Sequence, residues 1–457
     1  MRKILFKLFL FISFSLQSQS YHFLNLTVED GLAENEVFDL IQDRRGAIWM
    51  ATLGGVSVYD GVSFMNLNDS TGLPSNIINC LYEDIKGDVW IGTDEGLNRF
   101  DGYLNKTYRS NVYKENTLSG NRIWISYIDR NNTLWIGTDR GVCYYNENKD
   151  EFTRIETGSK PLHVIEDESS VYFTTISKGV VKVLKETKEI SFYQFDPLDP
   201  FSLSSSRFSD LQTNPIAKQK DHLWVGTTNG LNQVNIKTGQ IKRFYSGKTD
   251  LVKADSISSV LVTQRGLYTG TTKGLTFLGS NQNENIKDIT DKNVVALFEI
   301  KEASLVAAVL KDEIQLLEGV KIVKTIKIEK PFTRMIDLKT GQYLFTSKNH
   351  KRTLFLTIEN KTINHTKSTV PIKPSCVFVD LEGGIWLTGS KGLLRAGNTT
   401  NPVSVIEGKP VKSGRFSKTK NGLFVLSEKQ IYKYSKNSQQ IKVAGPIKTT
   451  ENEKLYV

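Results

Sequence analysis

One unit of roughly 40 residues recurs along almost the whole chain, and a repeat of that length restricts the fold more than any other feature of the sequence. Its clearest copy runs Gly72-Leu73-Pro74-Ser75-Asn76, an alternating Ile78 to Tyr82, and a Glu83-Asp84-Ile85-Lys86-Gly87 turn. Val89-Trp90-Ile91-Gly92-Thr93, a Glu95-Gly96 turn and Leu97-Asn98-Arg99-Phe100-Asp101-Gly102 complete it. Aligned on the tryptophan, the slot holds Trp49, Trp90, Trp135, Tyr172, Trp224, Tyr268, Leu305, Tyr343, Trp386, Phe424 and Tyr456, spaced 32 to 52 residues apart. That spacing brackets the 40 to 45 residues of a four-stranded propeller blade.

Each copy divides into short strands. Asp84 to Gly87 is a tight turn, and Trp90, Gly92 and Asp94 share one strand face, so a bulky ring sits beside a glycine that permits close approach. Glu95-Gly96 reverses the chain into Leu97 to Phe100, and Tyr103 to Tyr108 supplies an outer strand. Four strands repeated radially limit the exposed sheet edges. The fold class is therefore all-β.

Closure of the ring has its own signal at the amino terminus. Phe23 to Asn35 repeats Phe64 to Asn76, so the chain opens with an outer strand that lacks the other three strands of its blade. Such an orphan strand completes the last blade of a ring. Seven slots precede residue 320, and there the charge changes sign: residues 321–457 hold 25 Lys+Arg against 9 Asp+Glu, residues 1–320 hold 34 against 40. The expected organisation is a seven-bladed β-propeller over residues 21–319, then a second, incomplete β-propeller over 320–457, opened by an orphan outer strand at Val320 to Ile328 and ended by truncation.

Residues 1–20 read as a signal peptide: Arg2 and Lys3, an apolar run from Ile4 to Leu16 broken by Lys7, then Ser18-Gln19-Ser20. The expected location is periplasmic or secreted, with membrane attachment only through segments beyond this carboxyl end. Three cysteines and five histidines exclude a disulfide scaffold or a zinc cluster, and no cofactor is expected. Cys80 and Cys143 read as small buried thiols. Export removes nucleic acid as a natural partner of the Lys-rich carboxyl third.

The Leu-Pro-x-Asn, Glu-Asp-x-x-Gly, Trp-Ile-Gly-Thr and Gly-Leu-x-Arg-Phe-Asp elements between Leu73 and Gly102 resemble the two-component regulator propeller family. The resemblance implies the periplasmic sensor of a hybrid two-component histidine kinase: two seven-bladed propellers ahead of a β-sandwich, a membrane helix and a kinase. It further implies detection of oligosaccharides from polysaccharide breakdown, with homodimerisation of a full-length protein left open. The kinase lies outside this chain, so the chain itself is not expected to be an enzyme.

Catalytic motifs are missing from the sequence: no phosphate-binding loop, no His-Glu-x-x-His helix, no Gly-x-Ser-x-Gly elbow. Glu83-Asp84 and Glu166-Asp167 occupy recurring turn positions and read as turn carboxylates. The candidate ligand residues lie at the channel mouth, where an oligosaccharide needs amides, charges and an aromatic plane. Trp124 is the one tryptophan outside the structural slot; it follows Asn121, Arg122 and Ile123, at a position held by Asn79 and Phe38 in sister blades. Arg207, after Ser206, aligns with Arg122. A glycan-active propeller enzyme and a protein-docking scaffold are the alternative functions.

Overall fold

The computed structural model describes residues 23–396, except for 156, 209–212, 281–285, 340, 348, 360–361 and 382, and the backbone of short strands between 405 and 446. The expected leader at residues 1–20 and the Tyr456 slot lie outside the described residues.

Nine four-stranded antiparallel sheets follow one another as blades. Blades 1 to 8 span residues 37–67, 78–108, 123–155, 161–193, 216–244, 257–290, 294–327 and 334–369. Blade 9 consists of Cys376–Val379, Ile385–Gly389 and Gly392–Ala396, with Phe23–Leu26 as its outer strand. Arg415–Thr419, Gly422–Ser427, Gln430–Ser435 and Gln440–Pro446 form one further four-stranded sheet after the ring, with the Phe424 slot on its second strand.

A separate apolar cluster fills every interface between successive blades, including the one from blade 9 back to blade 1. In that last cluster Leu26, Leu32 and Leu393 pack with Val37, Leu40, Met50 and Trp386. The all-β propeller and the closing role of the amino-terminal strand agree with the sequence; the blade count does not. The strand closes a nine-bladed ring through Leu26 opposite Leu393, instead of a seven-bladed ring ending at residue 319. Lys321–Lys327, expected to open a second ring, pairs with Glu313–Glu318 as the outer strand of blade 7. The charge change at residue 320 thus falls inside a blade and marks a difference in surface, not a boundary between rings.

The repeat elements show why they recur. In blade 2 the Asp84 carboxylate accepts the Lys86 and Asp88 backbone N–H groups through Oδ1 (2.9 and 3.0 Å) and the Trp90 indole N–H through Oδ2 (2.9 Å). Asp43 with Trp49, Asp129 with Trp135 and Asp380 with Trp386 repeat the arrangement. The turn carboxylate thereby satisfies the one polar atom of a buried ring. Glu83, beside it, ties blade 2 to Arg44 of blade 1 (2.9 Å), and Glu166 holds Lys185 and Arg130. Gly92 is the close approach: a Cβ there would lie 2.5 Å from Cys80 Sγ and 2.8 Å from Ile123 Cγ2 of the next blade.

Blade 7 departs from the expected alignment. Its register sets Ala307, not Leu305, opposite Phe298, where Trp90 stands opposite Tyr82. Phe298, like Tyr82 in blade 2, is aromatic, and its ring meets Phe345 of blade 8 at 6.1 Å. The weak repeat signal around residue 305 reflects the small Ala307 in the slot.

Blade 7 also carries a buried carboxylate. Burial opposes ionisation of Glu313, but Lys327, Lys292 (2.9 Å) and Gln315 (2.8 Å) surround it and hold its pKa down to about 2. A folded-state pKa below the unfolded value stabilises the protein above the unfolded pKa, and that stabilisation disappears as pH falls through the folded one. Between pH 5 and pH 2 the parent should therefore lose about 2–3 kcal/mol that a Glu313→Gln variant does not lose. Urea melts at successive pH values measure it; parallel curves for the two proteins would rule out the assignment.

Candidate ligand site at the channel mouth

The innermost strands of blades 1, 2, 3, 4, 6 and 7 each contain an extra residue near their start, where pairing with the second strand slips by one. The slipped residues are Phe38, Asn79, Trp124, Leu162, Ser258 and Val295. A bulge re-aims the side chain it carries, so these positions form a ring of variable residues within an otherwise regular repeat. The sister relation of Phe38, Asn79 and Trp124 has this backbone cause.

In blades 2, 3 and 4 the backbone carbonyl two residues before the bulge is tied to the second-to-third-strand turn. Ile77 O accepts from Asp94 N, Arg122 O from Asp139 N, and Lys160 O from Ile176 N, at 3.0 to 3.2 Å. Arg207 O accepts from Thr228 N in blade 5 at 3.2 Å, which places Arg207 at the position equivalent to Arg122. Lys160 occupies the same position in the blade between them. Arg122, Lys160 and Arg207 therefore stand at one structural position in three successive blades.

Three residues before the bulge lies a brace. Asn35 Oδ1 accepts from Val28 N (3.1 Å), Asn76 Oδ1 from Asp69 N (2.8 Å) and Asn121 Oδ1 from Ser110 N (2.6 Å). The asparagine carbonyl pins the connection arriving from the previous blade. Its role at Asn121 is thus to hold the 109–122 connection, which lines the cleft described below.

Asn79, Arg122 and Trp124 converge. Asp94 Oδ1 accepts from Asn79 Nδ2 at 2.8 Å and from Arg122 Nε at 3.0 Å. The Arg122 guanidinium carbon lies 4.5 Å from the Trp124 ring centre, and Lys160 Nζ lies 3.2 Å from the same centre. Trp124 is half-buried, and its indole nitrogen is enclosed without a hydrogen-bond partner. The ring thus underlies two cations, attracted by its π face, and is not an open plane. Arg207 is exposed and makes no contact with this group among the described residues.

Beside the cluster a cleft of about 680 Å³ opens beneath the 109–122 connection. Arg109, Lys114, Arg122 and Arg140 line it together with Asp94, Asp139 and Asn121. Among the described residues Arg109, Lys114 and Arg140 have no carboxylate partner, whereas Arg122 is matched by Asp94. Tyr113, at the tip of the connection, is 94% exposed and offers an aromatic surface that Trp124 does not. Sequence reasoning missed Asp94, Lys160 and this connection. The usable signal was length, since 14 residues separate the outer strand of blade 2 from Ile123 where ten separate blade 1 from blade 2.

The carboxylate pairs expected in turns are there, bound to backbone and cations, and no group of three or more His, Cys, Asp or Glu residues that could hold a metal occurs among the described residues. Cys80 and Cys143 are buried free thiols, pushed up by burial to about 12 and about 11.

Residues 31–54, 72–95 and 117–140, each containing the innermost and second strands of blades 1, 2 and 3, match the two component regulator propeller family. These three blades are two-component regulator propeller repeats. No curated protein matches the chain. Among solved structures, the chain is similar to an extracellular domain of a hybrid two component system from B. thetaiotaomicron, at 18% identity and a TM-score of 0.37. That match covers 95% of this chain and 62% of the other, so the chain spans under two thirds of that domain. Virginiamycin B lyase from Staphylococcus aureus matches at 13% identity and a TM-score of 0.40, over 82% of this chain and 98% of the enzyme. BamB from Moraxella catarrhalis matches at 12% and 0.45, over 69% and 95%. Among the described residues no helix is long and apolar enough to cross a membrane.

Proposed function

We propose that this regulator propeller is the ligand-sensing input region of a hybrid two-component system, periplasmic or secreted, and that it receives an oligosaccharide at the channel mouth. Asn79, Asn121, Arg122, Trp124 and Arg207 are the proposed ligand residues, joined by Asp94 and Lys160. The observation that carries the reading is the cluster at the bulges of blades 2 and 3, where Asp94 connects Asn79 to Arg122 and Arg122 lies over Trp124. Fixed amide, guanidinium and carboxylate groups around a concave polar opening suit a ligand rich in hydroxyls. Regulator propeller repeats support a signalling role; signal output belongs to segments other than this ring.

Calorimetric titration of the protein with a panel of neutral and acidic oligosaccharides tests it. Trp124→Ala, which removes the support beneath two cations, should weaken the bound sugar by about 1–3 kcal/mol. A sugar that binds equally well to a folded Trp124→Ala, Asn79→Ala double variant would move the site elsewhere. A protein-docking role is the second reading, favoured by an exposed apolar stretch on the outer strand of blade 4 and the connection after it: Ile190, Phe192, Phe195, Leu198 and Phe201, the last two 91% and 69% exposed.

A further inference from the structure

Equivalent positions on consecutive blades face the same mouth with the blade-to-blade spacing of the ring. A row of like-charged side chains at such positions is a ruler for a ligand with a repeating charge. Arg122, Lys160 and Arg207 make that row in blades 3, 4 and 5, each anchored through its own carbonyl to the adjacent turn. Blade 2 ends the row, because its equivalent residue is Ile77. The cleft at that end adds Arg109, Lys114 and Arg140, against which stand Asp139 and Asp94, the latter already bound by Arg122 and Asn79. Cations therefore outnumber carboxylates in the lining of this cleft, four to two, although the amino-terminal 320 residues are net acidic. A local field of this kind is felt at contact distance, where the overall charge is screened.

We infer that the upper face over blades 2 to 5 binds a linear acidic saccharide, one carrying carboxylate or sulfate on successive sugars, laid along the row from Arg207 to the cleft beneath residues 109–122. Guanidinium pairs with either oxyanion through two parallel hydrogen bonds, and Lys160 contributes a point charge between two such forks. Tyr113 supplies an aromatic plane for a sugar ring at the cleft end. This rests on the saccharide reading above and narrows it to one class.

Three hexasaccharides separate the possibilities: a galacturonic acid hexamer, a chondroitin sulfate hexasaccharide and a neutral galactose hexamer, each titrated by calorimetry in low and in physiological salt. The expected result is binding of at least one acidic hexamer, at least tenfold tighter than the neutral one and weaker as salt rises. Carboxylate and sulfate arms identify which oxyanion is read. Lys160→Ala and Arg207→Ala should each weaken the acidic hexamer about tenfold, the value of one charge-assisted bond. Arg45→Ala, on an exposed Asp43-to-Ala47 turn outside this face, should leave it unchanged. Melting curves confirm that the variants fold, and both replaced residues are surface-accessible. If the neutral hexamer binds as tightly as the acidic ones, or if the Lys160→Ala, Arg207→Ala double variant keeps full affinity for the acidic hexamer, the inference is overturned while saccharide sensing survives. If no oligosaccharide of any class binds, both readings fall together.

Discussion

Excision of residues 23–35 is expected to unlatch the ring and to cost far more stability than loss of a terminal strand ordinarily does. Phe23–Leu26 is the fourth strand of blade 9, and Asn35 O accepts from Gly392 N at 3.0 Å. Leu26 and Leu32 are both buried in the cluster that joins blade 9 to blade 1. Burial of two leucines accounts for about 3–6 kcal/mol, and the bared edge of Gly392–Ala396 adds an aggregation hazard. The closure has a second side. A chain ended after residue 319 would be whole if seven blades made the ring, but in the nine-bladed ring it loses the outer strand of blade 7, all of blade 8 and the body of blade 9. Both variants should fail to give a cooperative thermal transition near that of the parent. A chain ending at residue 319 that melts cooperatively at the parental temperature would restore the seven-bladed organisation.

The second large effect is at a single carboxylate. Asp129 is 2% exposed, and its Oδ1 takes the N–H groups of Asn131 and Thr133 while Oδ2 takes the Trp135 indole N–H, all at 2.9 Å. Asp129→Ala removes three charge-assisted bonds at once and strands a buried indole nitrogen. We expect a loss of about 3–5 kcal/mol, since each bond to a charged group contributes roughly 1.5–3 kcal/mol and part of that is recovered by relaxation. Trp135→Phe removes the donor and part of the buried ring but leaves both backbone bonds to Asp129, so it should cost less, about 1–3 kcal/mol. Urea denaturation of the two single variants and the double variant gives the coupling between them. An Asp129→Ala protein within 1 kcal/mol of the parent would show that the turn does not depend on its carboxylate.

Much of the blade was legible because its chemistry is written in side chains. The Asp84 turn, the Trp90 slot and the Gly92 approach each favour a narrow set of residues, so the repeat survives in the sequence. Blade number was not legible for the opposite reason. Phe23–Leu26 joins its partner through backbone hydrogen bonds, which any third strand of a blade can offer, and no residue in it names Gly392–Ala396 as the acceptor. Nor could the alignment show the bulges, since an extra residue in one strand leaves no mark beyond a variable side chain. Arg122 and Arg207 aligned through their flanking Asn121 and Ser206, both of which brace the connection before them. Lys160 was overlooked because its blade has lost the Leu-Pro-x-Asn signature, although its backbone keeps the same tie.

The latch also sets an order of events. Ser375 Oγ donates to Val37 O across 338 residues of sequence, and Leu381 N donates to Gln42 Oε1 across 339. Chains grow at about 5–20 residues per second, so the first strand waits from roughly 20 seconds to more than a minute before its partner exists. Until then blade 1 has a bare flank and the strand itself an unpaired edge. Folding of this ring therefore ends at its earliest strand, with a slow, high-contact-order docking step.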